Sequence, residues 1–297
     1  MLNRRALLSA GLGAGVSAGL LAGCTLSPDE DHTGADAPRA MPLAHPVRTA
    51  WVFSSGGPRG FVHVGVVKAL SEMGLAPDLL VGASIGAAVA VMVGCGKSAR
   101  DIEQLALELK PLSLGRVAIG GGARLSGSAI SDMVRSEVNG LMLERMRTPV
   151  VCVAARLQDG RVMGFNAGDA GLAVQASCAI EGQFTPVRIR GDQYVDADLY
   201  QPLPVRVARH FGATRILAVD ASAHEARAPV GTERYRAGDL RKRALTEPDA
   251  RAADLTLHPE FGYYVNLSRQ FRETAINAGY RATLAAARPL AALHALA

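Results

Sequence analysis

A serine set between glycines, Gly82-Ala83-Ser84-Ile85-Gly86, has the G-x-S-x-G form of an activated nucleophile. The form alone is weak, since Gly15-Val16-Ser17-Ala18-Gly19 satisfies it too. Context separates the two. The stretch Asp78–Val81, apolar after its first residue, predicts a buried strand before Ser84, and the small, apolar run 84–93 predicts a core helix after it. A serine on a sharp strand-to-helix turn is pushed out at the sheet edge, which is the physical requirement of a nucleophile elbow. Gly82 and Gly86 leave out side chains that would crowd such a turn. The amide of Ile85, at the start of the helix, points the same way and can stabilise an oxyanion. A serine capping a helix after a tight turn is the plainer reading of the same residues.

A second turn of this kind lies upstream. Ser55-Gly56-Gly57-Pro58-Arg59-Gly60 follows the β-rich run 49–54 and opens a segment with apolar residues at 62, 66, 69, 70 and 73, a helical period. Consecutive glycines let backbone N–H groups face a developing negative charge. Pro58 has no N–H, which leaves the amides of Gly56, Gly57 and Arg59, and Arg59 adds positive potential. The rival reading is a phosphate or dinucleotide loop, but neither G-x-G-x-x-G nor G-x-x-x-x-G-K-[ST] is present.

The elements that must position these turns alternate. Strands are expected at 149–154, 162–165, 187–189, 193–196, 215–220 and 253–257. Helices are expected at 100–110, 128–138, 169–179, 203–211 and 271–287, the last stopped by Pro289. Residues 222–251 are charged and poor in large apolar side chains, which predicts a surface excursion. Alternating strands and helices imply an α/β fold, with a mainly parallel central sheet and helices on both faces.

The stretch Tyr194-Val195-Asp196-Ala197-Asp198-Leu199-Tyr200-Gln201-Pro202-Leu203-Pro204 brings the motifs together. With the Gly loop and G-x-S-x-G before it, in that order, the chain resembles the patatin-like phospholipase family over roughly residues 48–222. Ala176-Ser177-Cys178-Ala179-Ile180 looks like that family's segment before the Asp strand. The resemblance implies a patatin-like three-layer fold and a Ser–Asp dyad acting on lipid acyl esters. Carried over by position, Ser84 is the nucleophile, Asp196 its base, and Gly56, Gly57 and Arg59 the oxyanion donors. A carboxylate of ordinary pKa near 4 is a feeble base at neutral pH, so the site must raise it by burial or by a like charge. Asp198, two residues on and on the same side of a strand, could supply that charge.

Three positions depart from the family pattern: Ser55 opens the Gly loop, Glu181 stands where Pro is usual before Gly182, and Ala197 replaces the Gly after the catalytic Asp. If that Gly adopts positive φ, Ala197 is strained by about 1–2 kcal/mol. A catalytically degenerate patatin-fold lipoprotein that binds lipid or a protein partner is therefore the alternative. A Ser–His–Asp esterase using His258 or His294 is a further one, while His63 reads as a packed helix residue.

The N-terminus reads as an address. Arg4 and Arg5, an apolar stretch from Ala6 to Ala22 and Leu21-Ala22-Gly23-Cys24 form a signal-peptide pattern ending in what looks like a bacterial lipobox. That resemblance implies cleavage after residue 23 and a diacylglyceryl group on Cys24. The acyl chains would hold the chain on a membrane surface, periplasm-facing, on the outer membrane if the cell is Gram-negative. Residues 24–47, rich in Pro, Asp, Ala and Thr without periodicity, read as a flexible tether before a hydrolase domain at 48–297.

Composition closes off other classes. Net charge is +5 with no long Lys/Arg run, and aromatics are 5%, which does not indicate nucleic acid. Cys95, Cys152 and Cys178 sit in apolar surroundings and read as core residues. No CxxC or His/Cys cluster implies a metal, and no cofactor is expected. No feature of the sequence bears on oligomeric state.

Overall fold

The computed structural model describes residues 30–110, 115–117 and 125–295. The expected signal peptide and Cys24 lie outside these residues. The strands are β1 (Asp31–His32), β2 (Thr49–Phe53), β3 (Leu79–Ala83), β4 (Arg116–Val117), β5 (Leu125–Ser126), β6 (Val150–Arg156), β7 (Val162–Phe165), β8 (Val187–Ile189), β9 (Asp192–Asp196), β10 (Arg215–Val219) and β11 (Leu255–Leu257). The helices are α1 (Val62–Glu72), α2 (Ile85–Gly94), α3 (Ala99–Glu108), α4 (Ser128–Glu137), α5 (Ala170–Ser177), α6 (Val205–His210), α7 (Glu233–Ala252), α8 (Arg269–Ala285) and α9 (Ala287–Ala295).

The main sheet runs β1-β8-β9-β6-β3-β2-β10-β11, with β7 also on β6. From β6 to β11 every pairing is parallel; β9 and β7 meet β6 antiparallel, and β8–β9 is a hairpin. The central strands are apolar on both faces, as strands covered on both sides must be. Their side chains divide with period two. Trp51, Phe53, Leu80, Cys152, Leu217 and Val219 join one core with α1, α2, α5 and α8. Val52, Val81, Val151, Val153, Ile216 and Ala218 join the other with α6. The expected three-layer α/β architecture is therefore present.

Two glycines weld α1 to α8. A Cβ on Gly65 would come within 1.8 Å of the Ile276 carbonyl, and one on Gly279 within 2.0 Å of the Val62 carbonyl. Any side chain at either place would separate the helices.

The structure departs from the expectations in three places. Residues 30–47 are not a tether. β1 adds to the sheet beside β8, Asp31 accepts the Gly191 amide at 3.0 Å, Ala37 is buried, and Arg39 bridges Ala167. The segment lacks periodicity because it is held by scattered backbone bonds, polar side-chain bonds and single buried residues such as Ala37 and Val47, and not by a continuous apolar face. Residues 222–251 lie largely at the surface, as expected, but the unforeseen α7 occupies most of them. The closing helix ends at Ala285, and Pro289 sits in the first turn of α9, where its missing N–H breaks no helical bond.

Candidate active site

Ser84 stands on the turn between β3 and α2 with φ +55° and ψ −127°. A non-glycine residue held there is strained, and only surrounding structure keeps it so. The Ser84 amide donates to Ser177 Oγ at 2.8 Å, and Ser177 Oγ donates to the Val153 carbonyl at 2.6 Å. Ser177, at the buried end of α5, thus ties the turn to β6. The flanking glycines are required by contact. A Cβ on Gly82 would lie 2.3 Å from the Gly86 backbone, and one on Gly86 2.4 Å from the Phe53 carbonyl.

Strand register brings Asp196 to the same level. β6 pairs Val153 with Ala83 on one side and Ala154 with Asp196 on the other. Ser84 and Asp196 are therefore two strand spacings apart, about 10 Å between backbones, with side chains that can converge over β6. Both are buried and both line one cavity of about 480 Å³. Burial first, and the Asp198 carboxylate second, raise the Asp196 carboxyl to about 7, against the Ser84 hydroxyl, the Asp198 amide and the Lys242 ammonium, which lower it. A carboxylate so placed can take a proton at neutral pH. The neighbouring Cys178 thiol is pushed well up by burial and stays neutral, so it does not compete as a nucleophile.

Gly56 and Gly57 also line the cavity. They begin a 3-10 turn, Gly57–Phe61, whose first amides have no acceptor within the turn; the same holds for the Ile85 amide at the start of α2. Ile85 directs its side chain into a separate apolar groove, with its methyl against Gly60, where a Cβ would come within 2.1 Å. Arg59 corrects the sequence reading. Its amide donates to the Gly56 carbonyl at 3.1 Å and is not available to an oxyanion. Its buried guanidinium donates to the carbonyls of Ala221, Gly262 and Tyr263, each at 3.1 Å, and stacks on Phe261. Burial lowers its pKa, against Asp239 and Asp220, which raise it. Arg59 is a clamp that holds the Gly loop to the segments after β10 and β11.

The departures from the family pattern are accommodated. Ala197 is not among the residues with positive φ, and its Cβ is buried in the core with Val153 and Leu203. The strain that positive φ would have imposed is absent. Glu181 accepts the Tyr200 hydroxyl at 2.9 Å. Ser55 Oγ donates to Asp198 at 2.5 Å, and Lys242 Nζ bonds both of them.

Lys242 escaped the sequence reading, as did its neighbours Gly238, Asp239, Arg241 and Leu245, which wall the cavity from α7. The available signal was charge spacing: Arg243–Glu247 and Glu247–Arg251 are helical ion pairs. No histidine lines the cavity among the described residues. His63 is buried, bonds the Ser54 carbonyl at 2.9 Å, and is lowered by burial to about 4. His258 contacts the Ser222 carbonyl, and His294 accepts from the Trp51 indole. The described residues hold no His/Cys/Asp/Glu group suited to a metal.

Comparison with known proteins identifies the family and the fold. Residues 51–209 match the family model described as patatin-like phospholipase. An uncharacterized NTE family protein of Mycobacterium tuberculosis is 30% identical over 185 residues, covering 60% of this chain and 50% of that one. Human patatin-like phospholipase domain-containing protein 6 is 26% identical over 186 residues, 59% of this chain but 13% of its own length. The chain thus spans half or less of these relatives. The crystal structure of VipD from Legionella pneumophila superposes with a TM-score of 0.58 at 12% identity, covering 89% of this chain and 71% of that one, a likeness of fold. With a match that takes in more than half of its residues, from β2 through most of α6, this chain belongs to the patatin-like phospholipase family.

Proposed function

We propose that the chain is a serine lipid acyl hydrolase of the phospholipase A or esterase type, working through a Ser84–Asp196 dyad. The observation that carries this is the pairing in one cavity of a strained, buttressed serine with a buried carboxylate whose pKa is raised to about 7. Ser84 Oγ attacks the ester carbonyl while its proton passes to Asp196. The carbonyl oxygen gains negative charge opposite the amides of Gly56, Gly57 and Ile85. Asp196 returns the proton to the departing alcohol, leaving an acyl-serine. Water then attacks that ester with Asp196 again as base, and the acid leaves. A fluorogenic short-chain ester assay tests this. Wild type turns over, while Ser84→Ala and Asp196→Asn each lose at least about a hundredfold. Retained activity in Ser84→Ala sinks the proposal.

We also infer that Cys24 is acylated and holds the domain at a membrane face; no helix among the described residues is long and apolar enough to cross a membrane. Cys24→Ser should move the protein from the membrane fraction to the soluble one.

A further inference from the structure

Three side chains from distant parts of the chain meet beside the Ser84 cavity: Ser55 from the Gly loop, Asp198 from the turn after β9, and Lys242 from α7. Ser55 is fully buried, and each of its polar groups is bonded. Its amide donates to the Pro202 carbonyl at 2.8 Å. Its carbonyl accepts the Ser54 hydroxyl at 2.9 Å, and that hydroxyl is held in turn by the Ala221 amide at 2.8 Å. Its own hydroxyl donates to the Asp198 carboxylate at 2.5 Å and accepts from Lys242 Nζ at 2.8 Å. The Ser55 carbonyl and the Gly56 N–H belong to one planar peptide unit and point in opposite directions. Holding Ser55 therefore sets the aim of the Gly56 N–H, which has no acceptor among the described residues and belongs to a residue of the cavity wall.

We propose that Ser55 is a positioning residue for ester hydrolysis: its hydroxyl, through Asp198, locks the loop that carries the Gly56 amide to the strand end that carries Asp196. The inference rests on the hydrolase reading above. Asp198 is the shared link. Its backbone N–H donates to Asp196 Oδ1 at 2.9 Å, while its carboxylate takes the Ser55 hydroxyl. A hydrogen bond to an ionised acceptor is stronger than one between neutral groups, and burial of Ser55 keeps water from replacing it. Lys242, bonded to both partners, holds the carboxylate in place from α7. Ser84 is tied separately, through Ser177 to β6, so the link acts on the base and the oxyanion donor and not on the nucleophile. A donor that turns away from the developing oxyanion weakens transition-state binding more than substrate binding, and the loss is read in kcat.

Ser55→Ala removes the hydroxyl and leaves Asp198 paired with Lys242. The test is hydrolysis of a short fluorogenic ester by the full chain from pH 4.5 to 9, with thermal melts to confirm folding. kcat should fall by at least about tenfold across the range, short of the roughly hundred- to thousandfold loss of a whole oxyanion donor, with KM within about twofold of wild type. The acidic limb should keep its place, since no charge beside Asp196 is removed. Ser55→Cys, close in volume but a weak donor, should lose kcat in the same way and replaces the Ala variant if that one does not accumulate. Asp198→Ala cuts the same link from its other end. Near pH 8.5, above the limb, adding Ser55→Ala to it should cost less than about twofold more. Unchanged kcat in folded Ser55 variants, a loss confined to KM, a displaced acidic limb, or losses that multiply in the double variant each overturn the positioning role and leave the dyad standing. Absence of Ser84-dependent hydrolysis in wild type overturns the hydrolase reading, and this one with it.

Discussion

The charge beside Asp196 sets the sharpest test. Asp198 raises the Asp196 pKa and Lys242 lowers it, and the two side chains are bonded to each other. Asp198→Asn removes the neighbouring negative charge but keeps the backbone N–H that donates to Asp196 Oδ1 at 2.9 Å. A like charge within a few ångströms shifts a pKa by about 1–3 units. The Asp198 side chain is 36% exposed and is paired with Lys242, so the low end applies. The acidic limb of kcat/KM, which reports the free enzyme, should move from about 7 in wild type to about one unit lower. Lys242→Met should move it the opposite way, by no more than that. In the double variant the two changes offset, and the limb returns near the wild-type position. The other groups around Asp196 are common to all four proteins: Ser84 from the turn before α2, Cys178 from the end of α5, and Arg59 across the cavity. The assay is hydrolysis of a short fluorogenic ester from pH 4.5 to 9. Single variants that shift the limb in the same direction, or not at all, refute the electrostatic account.

Other outcomes follow from the same coordinates. Asp196 holds its proton to about pH 7 in the folded chain, whereas an unfolded carboxyl releases it near 3.8. Its ionisation therefore costs stability progressively as pH rises from about 4 to 7, and Asp196→Asn should stabilise the fold by about 2–4 kcal/mol at pH 8 and by little at pH 4. Equal gains at both pH values in urea titrations would contradict this. Ala197→Gly, which restores the residue usual in the family, should cost about 0.5–1 kcal/mol and leave kcat/KM unchanged, because no positive φ is relieved. A rise in rate would show that the Cβ displaces Asp196 after all. Gly86→Ala should prevent accumulation of folded protein or cost at least about 3 kcal/mol, since its Cβ meets carbonyl oxygens and not movable side chains. A melting point near wild type would mean that the elbow backbone can shift.

The central sheet was legible in the sequence because β2, β3, β6 and β10 are short apolar runs punctuated by Gly and Pro, and the two elbows because their glycines follow such runs. Asp196 was found only through the order of three motifs; its register against Ala154 depends on long-range pairing that no local pattern encodes. α7 was missed for a physical reason. Its apolar content is low, Pro248 interrupts it, and it is held by polar anchors: Lys242 to Asp198, and the buried Asp249 to Arg206. The docking of residues 30–47 was missed because backbone bonds, single polar contacts and isolated buried residues such as Ala37 and Val47 leave no trace in side-chain periodicity. Arg59 was assigned to the oxyanion from its position in the loop, but its partners lie about 160–200 residues away. Ala197 looked strained only on the assumption that its φ is positive.

The glycine seam between α1 and α8 reaches beyond the segment that matches the family model, which stops at residue 209. α1 begins where the Gly56–Gly57 turn ends, so the cavity-lining Gly loop is braced from behind by a helix some 200 residues further along the chain. Shortening the protein to its recognisable motifs would strip that brace and unpair β2 from β10 as well. The stretch with the least family signature thus braces α1, which follows directly on the Gly56–Gly57 turn, and a chain cut before α8 (Arg269–Ala285) would lose that support.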